Sequence, residues 1–219
     1  MPAPANIWTL LSGSTEQTLA AWGIDRAVVT RKSQDNDTLE ISVPNAPFDA
    51  NVLFAFESSV TLKRYPAADS SGNPTGTPVV WFVGTCTRTP RSGRPSAEGM
   101  DYKFEGPWYW LVNIVYQQNW TMFAGSTQVT APQSRVNLFT LITGALMTTA
   151  AQITDALTWA IDSGAVLTAG SLPTGVYVPS EQGVDLTCAE VIKRALRWHP
   201  DALTWFDYTT TPPTLNIGT

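Results

Sequence analysis

The sequence contains few of the residues that usually carry chemistry. Only 14% of its 219 residues are charged, against about a quarter in an average soluble domain, and it has one histidine and two cysteines. No window of about twenty apolar residues occurs, so no transmembrane helix and no stable membrane insertion are expected. The N-terminal segment lacks the basic start and long apolar core of a signal peptide, which makes an intracellular origin the default expectation.

The two cysteines, Cys86 and Cys188, lack the short spacing that metal sites need. A long-range disulfide would be compatible with the sequence, but two buried free thiols are the preferred interpretation. The segment Asp35–Asp37 resembles a calcium loop only faintly, because the central glycine and the spaced final glutamate are missing. No phosphate-binding glycine loop or dinucleotide motif is present. The sequence therefore predicts neither a metal nor a cofactor.

The formal net charge is −5, and the 13 lysines and arginines are scattered along the chain. A nucleic-acid coat protein needs a basic face to offset phosphate charge, so sequence-specific nucleic-acid binding is not expected. The densest basic group, Arg88, Arg91 and Arg94, lies in a Pro/Gly/Ser loop. It is either a solvated loop tip or an electrostatic docking point.

The only histidine, His199, would have to serve as the general base of any Ser-His-Asp or Cys-His arrangement. It lies between Trp198 and Pro200 at the predicted end of a helix, where a histidine usually caps the helix or packs as a ring. No nucleophile-elbow motif accompanies it. The sequence thus offers no catalytic residues for acyl transfer.

Paired carboxylates are the remaining route to an enzyme, such as a glycosidase or a peptidase. One candidate pair is Asp201 and Asp207, and a second group is Asp35, Asp37 and Glu40. The second group lies in a polar turn and is expected to be solvated. Enzymatic activity is accordingly not predicted.

The first 120 residues are typical of strands joined by turns, as 15 glycines and 16 prolines in the whole chain also suggest. Thr38–Pro44 is the clearest strand, because apolar and polar residues alternate along it with a period of two. Gly84, inside the apolar run Val79–Thr87, suggests a bulge or a barrel corner. Further strands are predicted over residues 25–32, 59–65 and 100–105. Long loops are expected around Ser70 and Arg91.

From about residue 135 the apolar spacing becomes helical. The first helix of this region is predicted from Val136, Phe139, Ile142 and Leu146, with Ser134 as its N-cap. Gln152–Ser163 is predicted as the next helix, and Gly164 ends it.

The last predicted helix begins at a capping box formed by Thr187 and Glu190. It ends near Trp198, because Pro200 disfavours helical geometry at the preceding residue. Strands over residues 202–208 and 214–217 follow it. The fold class is therefore mainly β with an α+β second part. We expect a small antiparallel β-barrel or split-barrel domain over residues 1–120 and an α+β domain over residues 121–219.

Nine tryptophans are many for a lone monomer, because exposed aromatic rings form apolar patches that favour association. Gly106–Trp120 is the aromatic centre of the chain. Its aromatic residues are expected to fill a core or a subunit contact, and sugar or base stacking is the alternative. The candidate interface residues are Trp108, Tyr109, Trp110, Trp120, Arg91 and Arg94.

The order of these elements resembles that of bacteriophage and prophage tail hub proteins, the group that includes the late control gene D protein and the baseplate hubs of contractile tails. The likeness is most specific in GPWYWL, Gly106–Leu111, and in WHPDALTWFDYTTTPPTLNI, Trp198–Ile217. Such hubs contain related small β-barrel domains and assemble as trimers around the tail axis. The family has no shared catalytic residues to carry over, and no lysozyme-like or peptidase-like segment is evident here.

The resemblance implies a structural subunit of a tail tip or baseplate, which forms a trimeric hub between tail tube and tip. Its implied partners are further copies of itself and the tail tube, distal tail, tape measure and tip or spike proteins. Its implied location is the virion tail, after assembly in the cytoplasm of the host bacterium. The alternative function is a carbohydrate- or receptor-binding β module that uses exposed tryptophans.

One departure from the family is that the last predicted strand barely finishes before Thr219. Members of the family usually continue with further β structure. The chain is therefore either the N-terminal part of a longer protein or an unusually short hub.

Overall fold

The computed structural model describes residues 6–44, 52–88, 91–94, 97–124, 127–141 and 143–218. The fold is mainly β, which confirms the predicted fold class. The chain divides into two compact units. Unit 1 comprises Met1–Pro107 and Tyr208–Pro213, and unit 2 comprises Trp108–Asp207 and Thr214–Thr219. The predicted division into folding domains at residues 120 and 121 stays a prediction.

Unit 1 is built around one antiparallel sheet. Its strands, within the described residues, are β1 (Ile7–Ser12), β2 (Thr15–Thr18), β3 (Arg26–Thr30), β4 (Thr38–Val43), β5 (Ser59–Tyr65), β6 (Ala67–Ala68), β7 (Pro74–Thr75), β8 (Val79–Arg88), β9 (Arg91–Arg94) and β10 (Ala97–Glu105). The sheet order is β2-β1-β5-β8-β10-β4-β3, with β9 paired to β10 and a separate β6–β7 pair. In β4 the predicted alternation is confirmed, because Leu39, Ile41 and Val43 are buried.

Gly84 does not lie at a bulge, which was one of the two expectations from the sequence, and the other, a barrel corner, stays a prediction. It pairs in regular register with Val60, and the register shifts of β8 fall elsewhere in the strand. A Cβ atom at Gly84 would lie 2.5 Å from two ring atoms of Phe82 and 2.6 Å from the carbonyl oxygen of Glu105. The glycine therefore lets an aromatic ring and a neighbouring strand approach the backbone closely.

Asp37 is buried, although the sequence favoured a solvated turn. The residue is only 4% exposed. One carboxylate oxygen accepts a hydrogen bond of 2.7 Å from the hydroxyl of Tyr208, and the other accepts one of 2.9 Å from the backbone N–H of Lys32. The local sequence around Asp37 cannot reveal this burial, because the hydrogen-bond partner Tyr208 lies 171 positions away in the chain.

Arg31 and Phe82 complete the surroundings of Tyr208 in unit 1. The Arg31 guanidinium lies 5.0 Å from the centre of the Tyr208 ring, and one of its nitrogens is 3.9 Å from Asp37. The Phe82 ring centre is 5.8 Å from that of Tyr208. Burial, together with the negative charge of Asp37, raises the pKa of Tyr208 far above its ordinary value. The hydroxyl therefore keeps its proton and remains a donor to Asp37.

Unit 2 combines short strands with helices. Its elements, again within the described residues, are α1 (Trp108–Asn113), β11 (Gln118–Ala124), β12 (Thr127–Gln133), β13 (Arg135–Leu138), α2 (Thr149–Asp162), β14 (Thr168–Ala169), β15 (Glu181–Val184), α3 (Cys188–Leu196), β16 (Leu203–Asp207) and β17 (Thr214–Gly218). The strands form the pairs β11–β12 and β13–β15 and the sheet β14-β17-β16. The helices α2 and α3 pack against each other.

The helix predicted from Val136 to Leu146 is wrong. Its first part is the strand β13, which pairs with β15 and buries Val136 and Leu138 with a period of two. Phe139 then has a φ of 63°, outside helical geometry, and Leu146 is exposed. Ile142 lies outside the described residues. The apolar residues at 136, 138 and 139 fit both the period of a helix and the period of a strand. Pairing with the distant strand β15 selects the strand.

The other two helices are confirmed. α2 begins three residues earlier than predicted, with Thr148 as N-cap, and Gly164 follows it with a φ of 98°. In α3 the Thr187 hydroxyl accepts from Glu190 N at 3.2 Å, and the Glu190 carboxylate accepts from Thr187 N at 2.7 Å. One face of α3, which includes Cys188, Val191, Ile192 and Ala195, is buried.

Replacing Thr187 with alanine removes the hydroxyl that caps α3, and we expect it to lower the free energy of unfolding by about 1 kcal/mol. Thr187→Ser keeps the hydroxyl and is expected to stay within about 0.5 kcal/mol of the original chain. Urea unfolding followed by circular dichroism measures both. Equal stability of the alanine and serine variants would contradict the capping assignment.

Both cysteines are free and buried, as the sequence predicted. Burial raises the pKa of Cys86, and burial with the negative charge of Asp155 raises the pKa of Cys188 to about 12. Because the thiolate is the reactive form, both thiols should react slowly with an aromatic disulfide reagent at pH 8 and fast in denaturant. Glutathione at the same pH is the control. Rapid labelling of both thiols in the folded chain would overturn this prediction.

Candidate interaction surface

The predicted interface residue Trp108 is placed in the core. It lies at the start of α1 with no exposed surface. The Lys193 ammonium group lies 6.0 Å from the centre of its ring. A side chain buried within its own chain does not reach a partner, so the structure corrects the prediction for Trp108.

The neighbouring residues Tyr109 and Trp110 are partly exposed on α1, with ring centres 5.6 Å apart in an edge-to-face arrangement. Trp120 lies on β11 and is also partly exposed. Tyr109 and Trp110 thus lie on α1, whereas Trp120 belongs to the β11–β12 hairpin. Their role in an interface stays a prediction.

Arg91 and Arg94 lie on β9, which pairs with β10. Their side chains lie outside the part of the chain that the structure describes. The expectation that these arginines form an electrostatic docking point therefore stays a prediction.

Trp120 lines a cavity of about 290 Å³ between the hairpin and the β13–β15 pair. Arg135, Gln133 and Gln182 also line it. The indole nitrogen of Trp120 is buried and has no hydrogen-bond partner within the described residues. The ring is thus held by packing rather than by a polar contact.

Two large apolar side chains on one strand, Leu203 and Trp205 of β16, are exposed. They are 61% and 47% exposed, whereas the alternating residues Thr204 and Phe206 are buried. This alternation directs Leu203 and Trp205 to the outward face of the sheet. We call these two side chains the Trp205 face.

Small groups lie opposite the Trp205 face on β17. Leu203 pairs with Gly218, and Trp205 pairs with Asn216. A Cβ atom at Gly218 would lie 3.3 Å from the indole of Trp205, so the ring lies across the backbone of that glycine. Trp205 is nevertheless 47% exposed, so part of the indole is open to solvent.

Sequence reasoning predicted the strand that carries Trp205 but did not select this residue. The signal in the sequence is the run Leu203–Phe206, in which large apolar residues occupy both phases of a strand. A half-buried strand has polar residues on one phase, so this pattern indicates that both faces meet apolar surroundings. Within this chain, packing buries Phe206 but leaves Leu203 and Trp205 exposed.

His199 packs as a ring, as expected. Its Nε2 is 2.8 Å from the hydroxyl oxygen of Thr149, which also accepts from the N–H of Val176 at 3.1 Å. Thr149 has no exposed surface. A hydroxyl without access to solvent does not meet a substrate, so this Thr-His contact is structural rather than nucleophilic.

Two other acids weighed for catalysis, Asp201 and Asp207, lie in unit 2. Asp201 is exposed and Asp207 is half-buried on β16. Within the described residues, no group of three or more His, Cys, Asp or Glu side chains is arranged to hold a metal ion. Among the described residues, no helix is both long and apolar enough to cross a membrane.

Neither a protein-family model nor a curated protein matches the sequence. Solved structures match the fold. The tail protein from Neisseria meningitidis MC58 matches with a TM-score of 0.56 at 9% identity, over 98% of this chain and 50% of that one. The 43 kDa tail protein of prophage MuSo2 from Shewanella oneidensis matches with a TM-score of 0.56 at 12% identity, over 97% of this chain and 55% of that one.

This chain therefore spans about half the length of the two solved tail proteins. At such low identity the likeness concerns the fold and does not carry over individual residues. The fold of this chain, over nearly its whole length, is one that phage and prophage tail proteins have.

Proposed function

We propose that this chain is a structural subunit of a bacteriophage or prophage tail. The observation that carries the proposal is the fold, which two solved tail proteins share over almost all of this chain. A fold alone does not fix a function. The low charge content and the exposed Trp205 face add independent support, because subunits of an assembly keep few charged residues at their contacts and enrich aromatic ones.

Within the tail, we place the chain in the tip or baseplate as a hub that joins the tail tube to the tip. It acts by symmetric self-association, with three copies as the expected number. Other tail proteins, such as the tube, distal tail, tape measure and tip or spike proteins, would contact the assembled ring. No catalytic step is part of this role.

The Trp205 face supports self-association through a simple energetic argument. A tryptophan and a leucine exposed side by side leave apolar area in water, and covering that area with a partner is favourable. Tryptophan is also among the residues that most often dominate the binding energy of an interface. We therefore place the Trp205 face at a contact between copies.

Light scattering on the purified chain over a concentration series tests the proposal. We expect the mass to rise toward three times the 23.8 kDa of one chain. Trp205→Ser should weaken self-association at least about tenfold, because a tryptophan at the centre of an interface contributes about 2 kcal/mol or more.

Tyr177→Ser is the matched control. It removes another exposed aromatic side chain of unit 2, 69% exposed and outside the Trp205 face, and should leave the mass unchanged. A strict monomer at every concentration would contradict the hub proposal. If oligosaccharides then quench the fluorescence of the original chain but not of Trp205→Ser, the carbohydrate-binding alternative replaces it.

A further inference from the structure

The outward face of α2 presents a tryptophan between two carboxylates. Asp155, Trp159 and Asp162 are spaced four and three residues apart, so they lie on one side of the helix. They line a cavity of about 440 Å³, together with Asn119, Thr140 and Leu141 among other residues. We call this cavity the α2 groove.

The indole of Trp159 is fixed in place. Its Nε1–H donates a hydrogen bond of 3.0 Å to the carbonyl oxygen of Val115. The residue is half-buried and lines the groove, so its ring is anchored without being fully covered. A ligand that meets this ring does not have to order it first, which lowers the entropic cost of binding.

Asp155 is held from below by a buried polar chain. The hydroxyl of Tyr116 donates to Oδ2 of Asp155, Gln152 donates to the Tyr116 oxygen at 3.0 Å, and Gln152 in turn accepts from Phe139 N at 2.8 Å. Burial and the contact with Asp155 raise the pKa of Tyr116 above its ordinary value, so its hydroxyl stays a donor. The Tyr116 hydroxyl thereby helps to orient the Asp155 carboxylate, whose residue lines the groove.

The groove carries uncompensated negative charge. Within the described residues, no lysine, arginine or histidine forms an ion pair with Asp155 or Asp162, and none lines the groove. Two carboxylates on low-dielectric walls attract a cation more strongly than either would alone. A neutral saccharide could stack on Trp159 but would leave both charges unbalanced.

A single metal ion does not suit the groove. The two carboxylates are seven residues apart on the helix, about 10 Å along its axis, with the Trp159 ring between them. Oxygen ligands of Ca²⁺ lie only about 2.3–2.6 Å from the ion. An extended organic cation matches the spacing better than a point charge does.

We propose that the α2 groove binds arginine side chains of a partner segment. The guanidinium plane stacks on the Trp159 ring and donates to the open carboxylate oxygens of Asp155 or Asp162. Arginine fits better than lysine because its planar guanidinium combines stacking with forked hydrogen bonding to a carboxylate. This site is separate from the Trp205 face and does not depend on the proposed hub role.

A capped peptide with the sequence Gly-Arg-Gly-Gly-Arg-Gly is the probe, since its arginines span about 10 Å when extended. Calorimetry at low salt and the indole N–H signals of the full chain report its binding. We expect Asp155→Asn, Asp162→Asn and Trp159→Leu each to weaken binding roughly 2- to 5-fold. Asp201→Asn, which removes an exposed carboxylate elsewhere in unit 2, should change nothing.

The same peptide with citrulline in place of arginine should not bind, and added salt should weaken the arginine peptide. No binding at low salt, or binding that the groove variants leave unchanged, would overturn the proposal. Perturbation of Trp159 by a neutral oligosaccharide but not by the arginine peptide would also overturn it and would favour a saccharide.

A second experiment, on self-association, distinguishes whether another copy of this chain or a different protein supplies the arginine. If a second copy supplies it, Asp155→Asn/Asp162→Asn should lower self-association of the chain in proportion to its loss of peptide binding. If another protein supplies it, self-association stays unchanged while peptide binding falls. Peptide binding and self-association of this variant can both be interpreted even if Trp205→Ser leaves self-association unchanged.

Discussion

Unit 1 depends on a buried contact between Asp37 and Tyr208, residues 171 positions apart in the chain. A carboxylate that is almost fully buried is costly unless donors satisfy it, and here two of its donors are the Tyr208 hydroxyl and the Lys32 backbone N–H. The same tyrosine packs on Phe82, in the strand where Gly84 allows close approach. The segment Tyr208–Pro213 is thus a structural part of unit 1, although it lies between two strands of unit 2.

Unit 2 uses buried polar contacts in a different way. Gln152 and Tyr116 are fully buried and form a chain that ends at Asp155, on the outer face of α2. Apolar residues on the opposite side of that helix fill the core, so one helix provides both stability and an oriented carboxylate. The Trp205 face has no such polar support and is simply apolar surface left uncovered. The two surfaces therefore suit partners of different chemistry.

Local signals in the sequence predicted local structure well. The alternation in β4 and the capping box of α3 each need only a few adjacent residues, and both were confirmed. The strand β13 was mistaken for a helix because its apolar residues fit two periods until a distant strand selects one. The burial of Asp37 and the exposure of Trp205 also depend on residues far away in sequence, and no local pattern specifies them.

The most direct test of this account is a double-mutant cycle on Asp37 and Tyr208, measured as the free energy of unfolding in urea. Tyr208→Phe and Asp37→Leu should each destabilise the chain by about 1–3 kcal/mol, since each leaves a buried polar group without its partner. The double variant should cost at least about 0.5 kcal/mol less than the sum, because both polar groups are then gone. Additive effects, or a Tyr208→Phe variant as stable as the original chain, would contradict the claim that this contact holds unit 1 together.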